Sequence, residues 1–443
     1  MRLLLGQLYD VDTSRQLETL CVGEVLMPHI HLDAGVLRQA VGYLQYKFSS
    51  LRTSFVRLND ELTMRFSAPH TVSIDDVFQV RPAQRGTSAL RNQLRDYISE
   101  VRSGMSLDRP SLLRYCLFDA AQANEQRLAL MFNHLVCDGI SSRILWRELS
   151  RAYKRVMSGE TLVLESCTSY QDFAEELFSK HQQLLEQSAT PAPVERTTGL
   201  LDKLTRGLSC TATLAEVVRR KQLISSDELS ALRARAMGFG VGLSDFLLTC
   251  WIRALAQTQR DGSVTLLLWV SPHFVGDWST PVGELVGSVS FPLPVTFSMS
   301  GECSLAEALK RVNEELQAGL AGAEVFAARY FATGSPGVWP PLPSIGFNFV
   351  SDQRPSPSLI GYELAPEGVH IERLQEEPFD LALGLEIEVY GQEMQVSLCA
   401  TPYVAERLPM DELLDELLNL LMSFKEATPM HGRSVEGRKG CIK

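Results

Sequence analysis

One short stretch of this 443-residue chain carries the side chains of a reaction centre: Asn133-His134-Leu135-Val136-Cys137-Asp138-Gly139. The imidazole of His134 can take or give a proton near neutral pH. The Asp138-Gly139 pair that follows is a turn signal, and at the start of a helix such a turn leaves backbone amides that favour negative charge. A base and a hydrogen-bond donor would then be neighbours. An Asp-Gly turn also caps helices that catalyse nothing, so spacing alone leaves both readings open.

The residues around the motif predict how it is held. Leu128 to Phe132 is a continuous apolar run, typical of a strand covered on both faces, and it leads directly into the motif. After it, Ile140, Ile144, Leu145, Leu149, Tyr153 and Val156 mark one face of a helix. Arg143, Arg147 and Arg151 recur at four-residue steps on the outer face, with Lys154 and Arg155 close by. This stripe suits an acidic or phosphate-bearing partner, or else a solvated face paired to glutamates such as Glu148.

Upstream, the periodicity predicts a helix over 32–51, a strand over 53–58, a helix over 88–101 and a strand over 112–118. Downstream, Ser225 to Glu228 and Ser304 to Glu307 read as capping boxes at helix starts. A deeply packed helix is expected over 244–259, strands over 264–270, 286–297, 344–350, 381–389 and 394–400, and a closing helix over 411–424. Prolines crowd 334–357, which predicts a long surface excursion. Periodicity fades between 182 and 205 around Ala189-Thr190-Pro191-Ala192-Pro193. The expected organisation is an N-terminal lobe over 1–185, a linker over 186–205, a C-terminal lobe over 206–428 and a disordered tail over 429–443.

Lys and Arg number 42 against 53 Asp and Glu, a net charge of −11 that discourages nucleic acid and anionic membrane surfaces as partners. With 45% hydrophobic and 21% charged residues the chain can fill sizeable cores, and no apolar run approaches the length of a membrane span. The nine cysteines are scattered without a Cys-x-x-Cys pair, which argues against a disulfide framework or a thiolate zinc site and makes a reducing cytoplasm the expected compartment. No metal and no tightly bound cofactor is expected, and the sequence lacks a Gly-x-x-x-x-Gly-Lys phosphate loop.

Several segments, in order, resemble the condensation domains of nonribosomal peptide synthetases, members of the chloramphenicol acetyltransferase-like superfamily. His134 to Gly139 is similar to the end of that family's His-His-x-x-x-Asp-Gly motif. Tyr46-Lys47-Phe48-Ser49-Ser50-Leu51-Arg52-Thr53-Ser54-Phe55 is similar to Arg-His-x-x-Leu-Arg-Thr-x-Phe, and Ser111 to Arg114 to Gly-Pro-Leu-Leu-Arg. Tyr170 to Phe173, Val286-Gly287 with Leu293-Pro294, and Phe347-Asn348-Phe349 resemble further family segments. The departures are Asn133 for the first motif histidine, Ser271-Pro272-His273 for Ser-Gly-Arg, and Phe291 for an asparagine.

The resemblance implies an α/β fold, an α+β sandwich of two acetyltransferase-like lobes set in a V with a central tunnel. His134, Asp138 and Gly139 would be the catalytic residues, with His134 assisting deprotonation, the Gly139 amide facing the oxyanion and Asp138 fixing the turn. Asn133, Ser290 and Asn348 would line the tunnel, and Arg52 or His273 would pair with Asp138 in place of the missing arginine. The expected activity joins an acyl group, carried as a phosphopantetheine thioester on a partner carrier protein, to an amine or hydroxyl acceptor. The chain would act as a monomer, stand-alone or excised. Two alternatives remain: an acyltransferase that uses acyl-coenzyme A, and a catalytically silent domain that recruits a partner.

Overall fold

The computed structural model describes residues 18, 20–58, 61–163, 168–187, 200–205, 212–259, 262–299, 303–332, 343–351, 360–367, 379, 381–390 and 393–422. The expected tail, most of the inter-lobe linker and much of the proline-dense stretch lie outside these residues. The chain divides into two units: 1–180 with 277–289 and 353–374, and 181–276 with 290–352 and 375–443. The first break falls close to the expected lobe boundary. The contiguous division into 1–185 and 206–428 is nonetheless corrected, because two segments from the second half of the chain belong to the first unit.

The first unit is built on strands β1 (Cys21–Pro28), β2 (Phe78–Pro82), β3 (Leu113–Asp119) and β4 (Arg127–Asn133). They form a five-stranded sheet in which the short strand Tyr362–Leu364 lies outermost, followed by β1, β4, β3 and β2. β4 runs antiparallel to both neighbours and is buried at every position, as its apolar run requires. Helix α1 (Ala34–Lys47) is capped by Asp33 and buries Leu37, Ala40, Val41 and Leu44. Helix α2 (Thr87–Gly104) lays Leu90, Leu94, Tyr97, Ile98 and Val101 against Cys116, Phe118, Ala129 and Met131 of the sheet. Two further helices matter to the site: α3 (Gly139–Met157), which packs on α1, and α4 (Tyr170–Gln187).

Among the described residues, two ion pairs are buried in this unit. Arg127, at the start of β4, makes a two-pronged contact with Glu367, each prong 2.7 Å. Lys47, at the end of α1, lies 2.6 Å from Glu148 of α3. Charges this deep are tolerated because each finds a partner; removing one partner strands the other.

The second unit carries strands β5 (Val218–Ile224), β6 (Ser263–Val270), β7 (Phe291–Ser298), β8 (Ile345–Ser351), β9 (Leu383–Tyr390) and β10 (Glu393–Ala400). Their order is β5-β10-β9-β8-β6-β7, with β8 parallel to β9 and β6 and the other pairs antiparallel. Period-two alternation sends Leu266, Leu268, Phe347, Leu385, Ile387, Val396 and Leu398 into one core. Helices α5 (Ser226–Gly238), α6 (Leu243–Gln257), α7 (Leu305–Ala321) and α8 (Met410–Met422) add to it, α6 being apolar on most faces as expected. Both expected capping boxes are present, at Ser225 with Glu228 and Ser304 with Glu307.

The strand expected over 286–297 begins only at Phe291. Val286 and Val289 are apolar because they are buried in the first unit, not because they pair in a sheet. Pro292 and Pro294 fit in β7 because it is an edge strand, where alternate amides have no neighbour to bond.

Candidate active site

β4 delivers the motif at a fixed place. The amide of Asn133 donates to Leu112 O at 2.8 Å, and that of His134 to Leu20 O at 2.7 Å, so the strand end is held from both sides. Asn133 then closes the turn: its Oδ1 accepts from the Leu135 amide at 3.0 Å, and its Nδ2 donates to Glu18 O at 3.3 Å. The residue has no exposed surface. Its expected role as a substrate-lining residue is therefore corrected to support of the turn from beneath.

Leu135, Val136 and Cys137 are driven into the core, and Asp138 is buried with 1% exposure. Asp138 Oδ1 accepts the amides of Ile140 at 3.1 Å and Ser141 at 2.9 Å, which makes it the N-cap of α3. This cap satisfies two of the amides that open a helix; the Gly139 amide stands at the first position of the same turn. Of the seven motif residues, only His134, partly open, and Gly139, exposed, reach the surface.

The cap rests on a second layer. The Ser141 hydroxyl donates to Gly287 O at 2.8 Å and accepts from the Gly287 amide at 3.0 Å. Gly287 packs against the ring of Tyr170 so closely that an added Cβ would lie 1.9 Å from the ring. Tyr170 donates its hydroxyl to Ser288 O at 3.0 Å. Burial pushes the Tyr170 phenol above its ordinary range, and the negative charge of Asp138 adds to that shift.

Arg52, expected as a cation for Asp138, gathers backbone carbonyls. It donates to Tyr46 O at 2.9 Å, Phe48 O at 3.1 Å and Ser67 O at 3.2 Å, and also to Gln45 O. It thereby neutralises the carbonyl-rich end of α1, a position suited to a cation. His273, Ser290 and Asn348 belong to the second unit. His273 Nδ1 lies 2.7 Å from Ser271 Oγ; Ser290 is buried, with little surface to offer a substrate, and Asn348 is exposed on β8.

The arginine stripe on α3 is partly spent on acids. Arg151 reaches Glu148 at 2.7 Å, and Arg147 contacts Glu148 at 3.4 Å and also Glu284. Arg143 and Arg151 are exposed. Burial alone would raise the Glu148 carboxyl, but Lys47 and Arg151 outweigh it and hold it below the usual carboxylate range. Sequence reasoning missed Ser141, Glu148's partnership with Lys47, and Glu176. The carboxylate of Glu176 accepts the amides of Ser279 at 2.6 Å and Thr280 at 2.8 Å and so secures the segment that carries Gly287. A charged pair spaced as Lys47 and Glu148 carries no local sequence signal.

Comparison with known proteins agrees with this layout. The family model of the condensation domain matches residues 18–324. One of the linear gramicidin synthase proteins of Brevibacillus parabrevis is 27% identical over 333 residues, 72% of this chain and 6% of that protein. Chondramide synthase of Chondromyces crocatus is 26% identical over 360 residues, 76% of this chain and 9% of that protein. The chain thus spans less than a tenth of the length of these curated relatives. Among solved structures, the epimerization domain from the third module of tyrocidine synthetase B superposes with a TM-score of 0.69 at 19% identity, covering 92% of this chain and 93% of that one. The condensation domain of the monacolin K polyketide synthase MokA gives 0.68 at 16% identity, covering 95% and 96%. These structural likenesses show the fold, and the family match spans the strand, turn and capped helix just described: the chain belongs to the condensation-domain family.

Proposed function

We propose that this chain transfers an acyl group from a carrier-protein phosphopantetheine thioester to an amine or hydroxyl acceptor, forming an amide or an ester. The observation that carries the reading is the selective opening of the motif: His134 and Gly139 reach the surface while the five residues with them are buried.

The acceptor attacks the thioester carbonyl, and the negative charge passes to the carbonyl oxygen. His134 takes the proton from the attacking nitrogen or oxygen, assistance typically worth ~10²–10⁴ in rate. The Gly139 amide, at the positive end of α3, is the donor for the oxyanion. Collapse breaks the carbon–sulfur bond and releases a thiolate whose ordinary pKa of ~8.5 makes it a good leaving group. The Asp138 carboxylate stays on the helix amides throughout and takes no proton. The stripe of Arg143, Arg147 and Arg151 on α3, although the last two also contact Glu148, offers positive charge to an acidic carrier.

The test is to incubate the protein and its His134→Ala variant with acyl-loaded carrier proteins and a panel of amines and alcohols, and to look for product by mass spectrometry. Product from wild type and little from the variant is expected. Turnover with coenzyme A thioesters alone would replace the carrier in this reading, and binding of a carrier without any product would leave only a recruiting role.

A further inference from the structure

We infer that Ser141 is a positioning residue for the acyl transfer proposed above, fixing the first turn of α3, and with it the Gly139 amide, against the segment 285–289. The inference rests on that functional reading for its catalytic consequence, but not for its structural part.

Three observations converge on Ser141. Its hydroxyl engages both polar groups of one residue, donating to Gly287 O at 2.8 Å and accepting from Gly287 N at 3.0 Å. Both residues are buried, so water is excluded from these bonds. Its own amide binds Asp138 Oδ1 at 2.9 Å, so one residue joins the helix cap to the segment. The segment itself is firmly seated. Leu285 and Val289 pack with Tyr170 and Phe173, the Tyr170 ring fills the space where any larger residue at 287 would need its Cβ, and the Tyr170 hydroxyl binds Ser288 O.

The first turn of a helix is its least constrained part, because its amides lack partners within the helix. Asp138 supplies partners for two amides within the turn itself. Ser141 ties the turn to something outside the helix. An oxyanion donor must hold its place to a fraction of an ångström, and a displacement of about 1 Å can cost ~10²-fold in rate. Ser141 touches neither substrate nor reacting atoms in this account; it acts through Gly139.

The experiment compares the full chain with Ser141→Ala and Ser141→Thr, the latter keeping the hydroxyl. Peptide-resolved hydrogen–deuterium exchange is read first. Ser141→Ala should accelerate exchange in peptides holding 139–142 and 285–289, by about tenfold or more, and leave the remainder unchanged; Ser141→Thr should restore protection. Unchanged exchange in both peptides, or an equal rise along the whole chain, overturns the inference whether or not the protein turns over. Steady-state kinetics with a carrier-bound acyl donor is read second. The kcat of Ser141→Ala should fall ~10–100-fold with KM within about twofold and the midpoint of the pH–rate profile unmoved, because His134 is untouched. Wild-type kcat in Ser141→Ala overturns the catalytic part. A wild-type protein that makes no product from any donor defeats the functional reading instead, and exchange alone then decides the structural part.

Discussion

Two buried strands in this chain each run into a histidine, and the two endings are built differently. β4 ends at Asn133, the amide of His134 is bound to Leu20 O, and after three buried residues the chain is caught by the Asp138 cap and continues as α3. β6 ends at Val270 and passes through Ser271-Pro272 to His273, whose ring and amide both approach the Ser271 hydroxyl, at 2.7 and 3.4 Å. No α-helix follows there; the chain goes on through Gly276, at φ 92°, into irregular backbone. A strand gives a histidine an exit direction. A capped helix directly behind it adds oriented amides, and only the first ending has both.

The largest effect separates the two imidazoles. His134→Ala should lower turnover with a hydroxyl acceptor by ~10²–10⁴ and with an already neutral amine by less, measured as kcat/KM on matched acceptors. Equal losses on both acceptors would mean that the ring orients the nucleophile without moving its proton. Next comes the cap. Asp138→Ala should cost about 1–2 kcal/mol in urea unfolding, the range for lost N-caps, and Asp138→Asn should recover most of it because an amide oxygen can still accept from Ile140 and Ser141.

A smaller effect probes the sheets behind the endings. β4 is covered on both faces, whereas the sheet of the second unit has a polar face on which Glu386 sits with its Oε2 3.6 Å from Cys399 Sγ. Burial, with Glu388 adding to it, raises the Glu386 carboxyl above its ordinary range against the pull of Arg219; Cys399 is pushed up to about 12, chiefly by burial. A raised carboxyl favours the fold below its unfolded pKa of ~4.3, and that contribution is lost as pH rises through the folded value. Glu386→Gln should therefore raise the thermal midpoint at neutral pH, and the gain should vanish on acidification below ~4.3, followed by calorimetry across pH. The smallest effect is expected at His273. His273→Ala should shift stability by no more than about 0.5 kcal/mol in the same unfolding assay. A loss as large as that of Asp138→Ala would erase the contrast between the endings.

Much of this is legible in the amino-acid sequence. The apolar run before the motif, the Asp-Gly cap and both capping boxes are local patterns, and local hydrogen bonding realises them in place. Non-local features escape. Arg127 and Glu367 are 240 residues apart, and nothing beside either announces the other. Arg52 also binds the carbonyls at the end of α1, a duty that its place in the sequence does not announce. Asn133 occupies a motif position and so suggests a substrate path; its short amide instead bonds to Leu135 two residues on, a turn habit of asparagine that spacing cannot distinguish from exposure.

The return of Tyr362–Leu364 to the edge of the first sheet, with Glu367 on Arg127, limits how this protein can be cut. Recombination schemes that treat the first 185 residues as an interchangeable cassette would discard the outermost strand and the carboxylate that neutralises a buried guanidinium. Such a cassette would expose an adhesive sheet edge and bury an uncompensated charge, so chimeras should exchange the returning segments together with the half they complete.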